Sequence, residues 1–522
     1  MSKICSAREA VAHILDGQSV AVAGVIGWIT PDFTLKALAE RFDENASPRN
    51  LTFYFPCGTG DSIGIGGMDR VATPGLMKRI VSGSYINPLN PATGGRPRLM
   101  RLIRENLVEA YSWPIGASMH WLREVARRGP GYLTKIGLGT YADPRQQGGK
   151  FTTTAQDELV RVVEFEGQEY LFYPTWPLDV AILRASTADE AGNLSFEDEP
   201  IHSSNLALAL AAKASGGRVI AQVRRVVARN ARKAADVRIP GALVDHVVVD
   251  ANQMMTTDVP FDAAYLGGAM YAPSPGRAFT PASIDKVIAR RAAAEVRPGV
   301  TTIFGFGASS DVPMVMSEDG RFDNGEILDY DFTTEHGSFG GLVMSGWQFS
   351  ANLWPEALLD GVTQFDFIDG GNCPFAALAF AQFDAAGNVN VSRFGGANPG
   401  AGGFIDIAHN AKELLFTGSF TTAGLQAEIS GGGLRIAREG KLQKLVRHVD
   451  QITYCASRGV AERGQKATLI TERAVFSITA DGLVLTEIAK GVDVKRDVLD
   501  QMEFAPRHIV DPLPFMDDGL FA

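Results

Sequence analysis

The chain has 522 residues, of which 45% are hydrophobic and 21% charged, with a formal net charge of −10. This composition excludes disordered and fibrous proteins, and the length predicts two large domains or three smaller ones. The negative charge is spread over the whole length without an acidic or basic tail, so we expect no nucleic-acid partner.

Four cysteines lie far apart along the chain, and no histidine accompanies them at zinc-ligand spacing. Sparse cysteines are typical of a reducing compartment, so we expect neither disulfides nor a metal site. The start of the chain lacks the charged-then-apolar pattern of a signal peptide, and its apolar runs are too short to span a bilayer. We therefore expect a cytoplasmic protein with no membrane partner.

Short β-branched runs alternate with segments of helical period. A strand is predicted at Ser19–Ala23 and a helix over Pro31–Phe42, and later a helix over Leu206–Ala214 precedes a strand at Gly217–Val223. Strands that alternate with helices indicate an α/β fold with mainly parallel sheets flanked by helices.

One proline-rich segment after these elements predicts a division of the chain into two domains. Tyr271–Pro281 carries three prolines and a glycine, and a helix is predicted to restart over Asp285–Glu295. Such a segment is typical of an interdomain connection. We therefore predict an N-terminal domain at residues 1–275 and a C-terminal domain at residues 284–522.

Segments of the first half recur in the second, which predicts two related domains with a site in the cleft between them. The clearest pair shares the pattern Asp-x-x-Gly-Asn of a tight hairpin. The paired segments are Thr187–Phe196 with Gln382–Val391, Gly17–Gly24 with Gly299–Gly305, and, more loosely, Gly137–Arg145 with Gly395–Gly403.

In the segment Asp331–Gly341, the carboxylate of Glu335 is followed by a run of small, flexible residues. A carboxylate beside glycines suggests a nucleophile in a tight turn that a bulky substrate can reach. A second glycine cluster, Asn398–Phe404, could present bare backbone N–H groups to a developing oxyanion. We expect the adjacent His336 to face away from Glu335, as neighbours in an extended strand do.

A glycine turn, Gly305-Phe306-Gly307-Ala308, follows a predicted strand. It lacks the third glycine of a dinucleotide fingerprint, so by itself it is weak support for nucleotide binding. The sequence contains no P-loop, no His-Glu-x-x-His motif and no serine nucleophile elbow.

Taken together, the motifs resemble class I coenzyme A transferases, in the fused-chain acetate/propionate branch of short-chain acyl-CoA:acetate/3-oxoacid CoA-transferases. The resemblance runs from about Gly17 to about Asp511. The segments that carry it are Gly137–Lys150, Glu169–Tyr173, Thr187–Asn193, Glu335–Gly341, Phe365–Gly371, Gly387–Ser392 and Gly400–Gly403.

The resemblance implies two CoA-transferase domains, the first like the alpha subunit and the second like the beta subunit of two-chain relatives. It implies a ping-pong exchange of CoA between two carboxylic acids, with Glu335 as the nucleophile that forms a glutamyl-CoA thioester. It further implies Gly402 and Gly403 as backbone donors to the oxyanion. The resemblance also implies that CoA is bound by Gly305, Phe306, Gly307, Ala308, Gly400 and Ala401.

Where these relatives commonly read Pro-Gln-Gly, this chain has Pro114-Ile115-Gly116. Isoleucine cannot donate the hydrogen bond that glutamine could offer to a substrate carboxylate. We expect a substrate pocket formed by Trp28, Trp113, Ile115 and Gly116, and a bulkier or more apolar acyl group than acetate or propionate.

Two other functions stay open from the sequence. One is hydrolysis of an acyl-CoA or of a ring-containing CoA ester on the same fold, and the other is a CoA-binding protein without activity. The leading hypothesis is an enzyme of short-chain fatty acid metabolism whose partners are acyl-CoA and free carboxylic acids. We expect no permanently bound cofactor, coenzyme A as a substrate, and a homo-oligomer, either dimer or tetramer.

Overall fold

The structure is a computed structural model that describes residues 2–85, 94–268, 281–323 and 325–522. Within these ranges, no helix combines the length and apolar character needed to cross a membrane. The predicted interdomain connection Tyr271–Pro281 lies outside the described residues except for Pro281. The domain limits at residues 275 and 284 therefore stay predictions.

Strands and helices alternate along the N-terminal half. Its strands are β1 (Ile4–Cys5), β2 (Ser19–Val22), β3 (Leu51–Phe55), β4 (Met77–Ser82), β5 (Glu109–Ser112), β6 (Gly131–Thr134), β7 (Arg161–Phe165), β8 (Gln168–Pro174), β9 (Val180–Asp189), β10 (Leu194–Ser195), β11 (Arg218–Val227), β12 (Val237–Ile239) and β13 (His246–Val249). Its α-helices are α1 (Ala7–Val11), α2 (Asp32–Asn45), α3 (Met68–Val71), α4 (Arg98–Arg104), α5 (Ile115–Ala126) and α6 (Asn205–Ala214).

The C-terminal half contains more short strands. They are β14 (Thr302–Phe304), β15 (Phe332–Thr333), β16 (Ser338–Phe339), β17 (Leu342–Val343), β18 (Asn352–Leu353), β19 (Ala357–Leu358), β20 (Phe375–Ala379), β21 (Gln382–Asp384), β22 (Asn388–Asn390), β23 (Glu413–Thr417), β24 (Thr421–Thr422), β25 (Gln426–Ser430), β26 (Gly433–Arg438), β27 (Leu442–Gln443), β28 (Leu445–Val446), β29 (Tyr454–Cys455), β30 (Lys466–Ile470), β31 (Ala474–Thr479), β32 (Gly482–Ile488) and β33 (His508–Ile509). Its α-helices are α7 (Ile284–Ala293), α8 (Asp311–Glu318), α9 (Gly361–Asp369), α10 (Phe404–Asn410) and α11 (Ala456–Arg463). The predicted helices at residues 31–42, 206–214 and 285–295 are confirmed as α2, α6 and α7.

The large sheet of the N-terminal half follows the order β1-β13-β11-β9-β2-β3-β4-β5, and every neighbouring pair on this path is parallel. All ten residues of β9 are buried. Burial of successive residues means that both faces of the strand are covered, as in sheets with helices on both sides. The prediction of an α/β fold with a mainly parallel sheet is confirmed.

The C-terminal sheet repeats the centre of this arrangement. The path β30-β23-β20-β14-β15 is parallel throughout and matches β13-β11-β9-β2-β3 in order and direction. The hairpins after β9 and β20 also match, because Asp189 and Asp384 accept the same set of bonds from the second and fourth residues that follow them. The predicted duplication is therefore present in the topology.

The loosest of the three predicted repeats is wrong. Gly137–Arg145 precedes the hairpin of its own half, whereas Gly395–Gly403 follows the hairpin of the second half. The two segments therefore do not occupy equivalent places along the duplicated chain.

The two halves share an apolar core. Trp28 and Trp113 from the first half belong to the same buried cluster as Phe349 and Phe365 from the second. The indole N–H of Trp28 donates to the carbonyl oxygen of Phe349 at 3.1 Å. This shared core fixes the surfaces that face each other across the cleft.

Candidate active site

A cavity of about 600 Å³ lies between the two halves, at the carboxyl ends of β14 and β20. Ligands of open α/β sheets bind at this edge, because the connections there diverge and leave a crevice. The residues of the N-terminal half that line it are Ile26, Cys57, Ser84, Tyr85 and Arg96. The cleft site expected from the duplication is therefore present as a cavity with walls from both halves.

Glu335 enters this cavity from the turn between β15 and β16. Gly337, two residues later, has φ +92°, and a Cβ on it would collide with the carbonyl oxygen of Leu359. The turn thus requires glycine at that position. The Glu335 side chain is 15% exposed, and its Oε2 accepts a hydrogen bond from the N–H of Gly403 at 2.7 Å.

The glycine loop at residues 399–403 belongs to the C-terminal half but is bonded to the N-terminal half. The N–H of Tyr85 donates to the carbonyl oxygen of Pro399 at 2.6 Å, and the N–H of Ile115 donates to that of Gly402 at 3.1 Å. The backbone of one half therefore sets the position of the loop that contacts the carboxylate of the other.

Only one of the two expected backbone donors faces the carboxylate. The N–H of Gly402 donates to the carbonyl oxygen of Gly83 at 3.0 Å, so it is already engaged. The N–H of Gly403 is the one that contacts Glu335. The expectation that Gly402 supplies an oxyanion donor is corrected by this geometry.

His336 also departs from expectation, since it lies beside Glu335 and not on the opposite side. The two residues occupy a turn, where neighbouring side chains need not alternate as they do in a strand. The Nε2 atom of His336 lies 3.4 Å from Oε1 of Glu335 and 3.4 Å from Sγ of Cys57. Burial lowers the pKa of His336, but Cys57 and Glu335 outweigh it and raise that pKa to about 10.

Cys57 and Ser350 line the cavity but carry no motif that sequence reasoning could use. Ser350 is 1% exposed, and within the described part of the chain its Oγ has no hydrogen-bond partner. Its φ of +86° is a strained conformation for a residue with a side chain. Strain of this kind collects at functional sites, and Ser350 lies in the wall of a cavity that a substrate could fill.

The residues expected to bind CoA are brought together in part. Gly305, Phe306, Gly400 and Ala401 line the cavity, and Phe306 is 54% exposed. Gly307 and Ala308 lie outside the lining, because the chain turns there into a 3₁₀ helix that begins at Ala308.

Three of the expected pocket side chains do not reach the cavity. Trp28, Trp113 and Ile115 are each 0% exposed and lie in the apolar core, so their assignment to the pocket is wrong. Full burial of large apolar side chains is worth more than partial exposure to a pocket. Ile115 packs against Gly83, where an added Cβ would collide with its side chain.

Gly116, the fourth expected pocket residue, lies instead at a buried acidic contact between the halves. Its N–H donates to Oδ2 of Asp406 at 3.1 Å, and a Cβ on it would collide with that carboxyl group. Burial and the neighbouring Asp369 raise the pKa of Asp406 well above its usual range. Oδ2 of Asp369 in turn lies 3.0 Å from Nε2 of His120. Together these contacts join α5 to α9 and α10.

Comparison with known proteins adds to this geometry. The family model described as "Coenzyme A transferase" matches residues 4–250. "Acetate CoA-transferase YdiF" of Escherichia coli (strain K12) is 38% identical over 520 residues, 99% of this chain and 95% of that protein. "Caffeate CoA-transferase" of Acetobacterium woodii is 40% identical over 531 residues, 100% of this chain and 98% of that protein.

Among solved structures, the acyl-CoA transferase YdiF of E. coli O157:H7, described as a thioester complex with CoA, has a similar fold. Its TM-score is 0.90 at 37% identity, and the match covers 100% of this chain and 96% of that chain.

Proposed function

The chain belongs to the coenzyme A transferase family, and on that premise we propose that it exchanges CoA between carboxylic acids through a glutamyl-CoA thioester on Glu335. The chain is an enzyme that transfers CoA, as its full-length relatives are. The observation that carries the finer proposal is the bond from the N–H of Gly403 to Oε2 of Glu335, inside a cavity built by both halves.

This bond distinguishes the two oxygens of the Glu335 carboxylate. With Oε2 held by Gly403, Oε1 is the oxygen that attacks the acyl-CoA carbonyl and becomes the bridging oxygen of a mixed anhydride. CoA leaves as a thiolate in this step. Oε2 is then the carbonyl oxygen of the glutamyl group.

The thiolate of CoA next attacks the glutamyl carbonyl carbon, and negative charge develops on Oε2. The N–H of Gly403 already points at that atom, so the donor needs no rearrangement when the charge forms. The acyl group leaves as a free carboxylate, and the glutamyl-CoA thioester remains. An acceptor acid reverses both steps and departs as the new acyl-CoA.

The imidazole of His336 adds positive charge on the other side of the carboxylate. Its raised pKa means that the ring is protonated at neutral pH, 3.4 Å from Oε1. A cation at this distance pairs with the Glu335 carboxylate and orients it in the cavity. His336 is therefore a positioning residue and not a proton carrier in this scheme.

The cavity wall indicates the class of acyl group. The lining is mainly apolar and includes the aromatic and branched residues Trp347, Phe349, Val391, Phe394, Phe404 and Ile407. Each buried methylene of a substrate contributes about 0.8 kcal/mol in such a site. We therefore keep the proposal of an acyl group larger or more apolar than acetate, now based on these residues and not on Ile115.

Ser350 supplies the polar contact that an acid needs among these apolar groups. Its hydroxyl is buried and, in the described residues, unpartnered, so it can donate to an oxygen of the bound acid. In this scheme Ser350 orients the bound acid, and Glu335 carries out the covalent chemistry.

Further features complete the proposal. CoA enters by the mouth beside Gly305 and Phe306, and the enzyme is a cytoplasmic homo-oligomer, dimer or tetramer. Hydrolysis of CoA esters is not favoured, because the full-length relatives are named as transferases.

The test is to incubate the enzyme with acyl-CoA donors of rising chain length and no acceptor acid. We expect a covalent CoA adduct on Glu335 by intact mass and parallel initial-rate plots when an acceptor is added. Borohydride should reduce the thioester to an alcohol with release of CoA, and peptide mass spectrometry should locate that alcohol at Glu335. An adduct on another residue, or rapid release of free acid without any adduct, would contradict the glutamyl-CoA route.

A further inference from the structure

Cys57 lies where a sulfur atom carried into the cavity would meet it. Its Sγ is 3.4 Å from Nε2 of His336, and the same nitrogen is 3.4 Å from Oε1 of Glu335. The thiol and the carboxylate are therefore no more than twice 3.4 Å apart. The sulfur of CoA must reach the Glu335 carbonyl in the proposed function, so it enters the cavity whose wall includes both Glu335 and Cys57.

The surroundings of Cys57 are those of a reactive cysteine. Such cysteines lie beside a histidine or another positive charge and are reachable from a cavity. Cys57 lines the cavity, His336 is protonated beside it, and Oγ of Ser84 lies 3.7 Å from Sγ on another side. The thiol therefore lies in the wall of the cavity beside a cationic neighbour.

The other three cysteines, Cys5, Cys373 and Cys455, lie outside the lining of this cavity. Cys373 is 3% exposed. Cys455 lines a smaller cavity of about 330 Å³ elsewhere, which makes it the natural control.

Two residues in the wall of the cavity carry buried polar atoms that lack hydrogen-bond partners in the described part of the chain. Nδ1 of His336 and Oγ of Ser350 are both buried, and neither has a hydrogen-bond partner among the described residues. Both residues are 1% exposed and line the cavity. Buried polar atoms without partners in a site are satisfied by the molecule that binds there.

We propose that Cys57 is a modification site for the disulfide of coenzyme A, which forms a reversible mixed disulfide with it and blocks Glu335. The inference rests on the proposed function only in placing the sulfur end of CoA beside Glu335. It adds a second covalent CoA adduct, on sulfur, to the thioester on the carboxylate.

The exchange is balanced in atoms and electrons. The Cys57 thiolate attacks one sulfur of CoA disulfide, an S–S bond forms between Cys57 and that CoA, and the original S–S bond breaks. The second CoA leaves as a thiolate and takes up the proton that Cys57 gave up. No other oxidant is needed, and a thiol reductant reverses the reaction.

The consequence is a switch set by the redox state of the CoA pool. A CoA moiety held on Cys57 occupies the cavity and prevents an acyl-CoA from reaching Glu335. Activity should fall in proportion to the fraction of Cys57 that carries CoA, and should return when the disulfide is reduced.

The experiment treats reduced, full-length enzyme with CoA disulfide, or with oxidised glutathione at equal concentration, and follows intact mass and transferase rate. The disulfide adduct adds one CoA less two hydrogens, whereas the glutamyl-CoA thioester adds one CoA less one water. Peptide mapping locates each adduct. Cys57→Ser and Cys57→Ala test the site, and Cys455→Ser is the matched control.

We expect one CoA per chain on Cys57, loss of nearly all activity at full occupancy, recovery with dithiothreitol, and much slower reaction with oxidised glutathione. Both Cys57 variants should resist inactivation relative to their own untreated rates, while Cys455→Ser should behave as the wild type. Mapping of CoA to Cys455 or Cys5, inactivation of the Cys57 variants, or no adduct would overturn the proposal. A disulfide on Cys57 without any thioester on Glu335 would overturn the proposed function instead.

Discussion

The two neighbouring glycines of the 399–403 loop allow a matched test of the proposed oxyanion donor. A Cβ built on Gly403 would lie well under 3.0 Å from Oε2 of Glu335, a separation that real Cβ atoms do not show. The φ of Gly403 is −83°, so alanine fits its backbone without strain. Gly403→Ala should therefore displace the carboxylate from its donor while leaving the fold intact.

Gly402→Ala has the opposite character. Its added Cβ would lie 3.7 Å from Oε1 of Glu335, which is ordinary contact, but its φ of +60° disfavours any side chain. A non-glycine residue in this region costs roughly 1–2 kcal/mol. This variant should lose stability and keep most of its activity.

The expected magnitudes separate the two variants clearly. Loss of one oxyanion donor lowers kcat by about 100- to 1,000-fold, equivalent to about 3–4 kcal/mol. We expect this loss for Gly403→Ala, with a Tm close to that of the wild type. Gly402→Ala should melt a few degrees lower, with kcat within a few-fold of the wild type.

The assay is steady-state transfer from one acyl-CoA donor at saturating acid, together with thermal melting of each variant. The rate of adduct formation without acceptor shows whether the lost step is formation of the thioester. Equal activity losses in the two variants would show that the loop shape matters and not the Gly403 amide. Wild-type turnover in Gly403→Ala would refute the reasoning.

Four further predictions concern the carboxylate of Glu335, the strained Ser350, the buried Ile115 and the buried Asp406. Glu335→Gln should abolish transfer and the CoA adduct by mass spectrometry, with unchanged melting; any adduct in this variant would contradict the nucleophile. Ser350→Gly should raise Tm because glycine removes the strain at φ +86°. The same variant should raise KM for the acid about 10-fold or more, because a hydrogen bond to a charged group is lost. An unchanged KM would exclude Ser350 from the acid site. Ile115→Gln should cost about 1–3 kcal/mol of stability, since it buries an unpaired amide, and should leave substrate preference unchanged in a panel of acids. Asp406→Asn should weaken the pH dependence of Tm. The raised pKa of Asp406 means that the folded protein keeps a proton that the unfolded chain releases above about pH 4. The Tm of the wild type should therefore fall as pH rises from there, and the Tm of the variant should fall less.

The fold and the position of the nucleophile could be predicted from the sequence because their signals are local. Alternation of strands and helices predicts the parallel sheets, and the hairpin pattern after Asp189 and Asp384 predicts the duplication. Glycines beside Glu335 predict a turn, and the turn is present. In each case a few consecutive residues contain the physical cause.

The lining of the cavity could not be predicted in the same way, because it depends on which side chains are buried in the apolar core. Trp28, Trp113 and Ile115 belong to segments that the sequence predicts to face the cleft. Their side chains are nevertheless completely buried in the shared core. An extended strand would place the side chain of His336 on the side opposite Glu335, but the two residues occupy a turn. Ser350 gives no sequence signal, since a positive φ at a serine is set by the surrounding structure.

The way in which the loop is held explains what the duplication provides. Glu335 and Gly403 belong to the same half, but the loop that carries Gly403 is bonded to Tyr85 and Ile115 of the other half. If the halves separated, the carboxylate would keep its turn and lose the fixed position of its donor. A backbone donor stabilises an oxyanion fully only when it is positioned before the charge develops. The joining of two similar sheets in one chain therefore does more than enclose a cavity, because the N-terminal half fixes the geometry on which the chemistry of the C-terminal half depends.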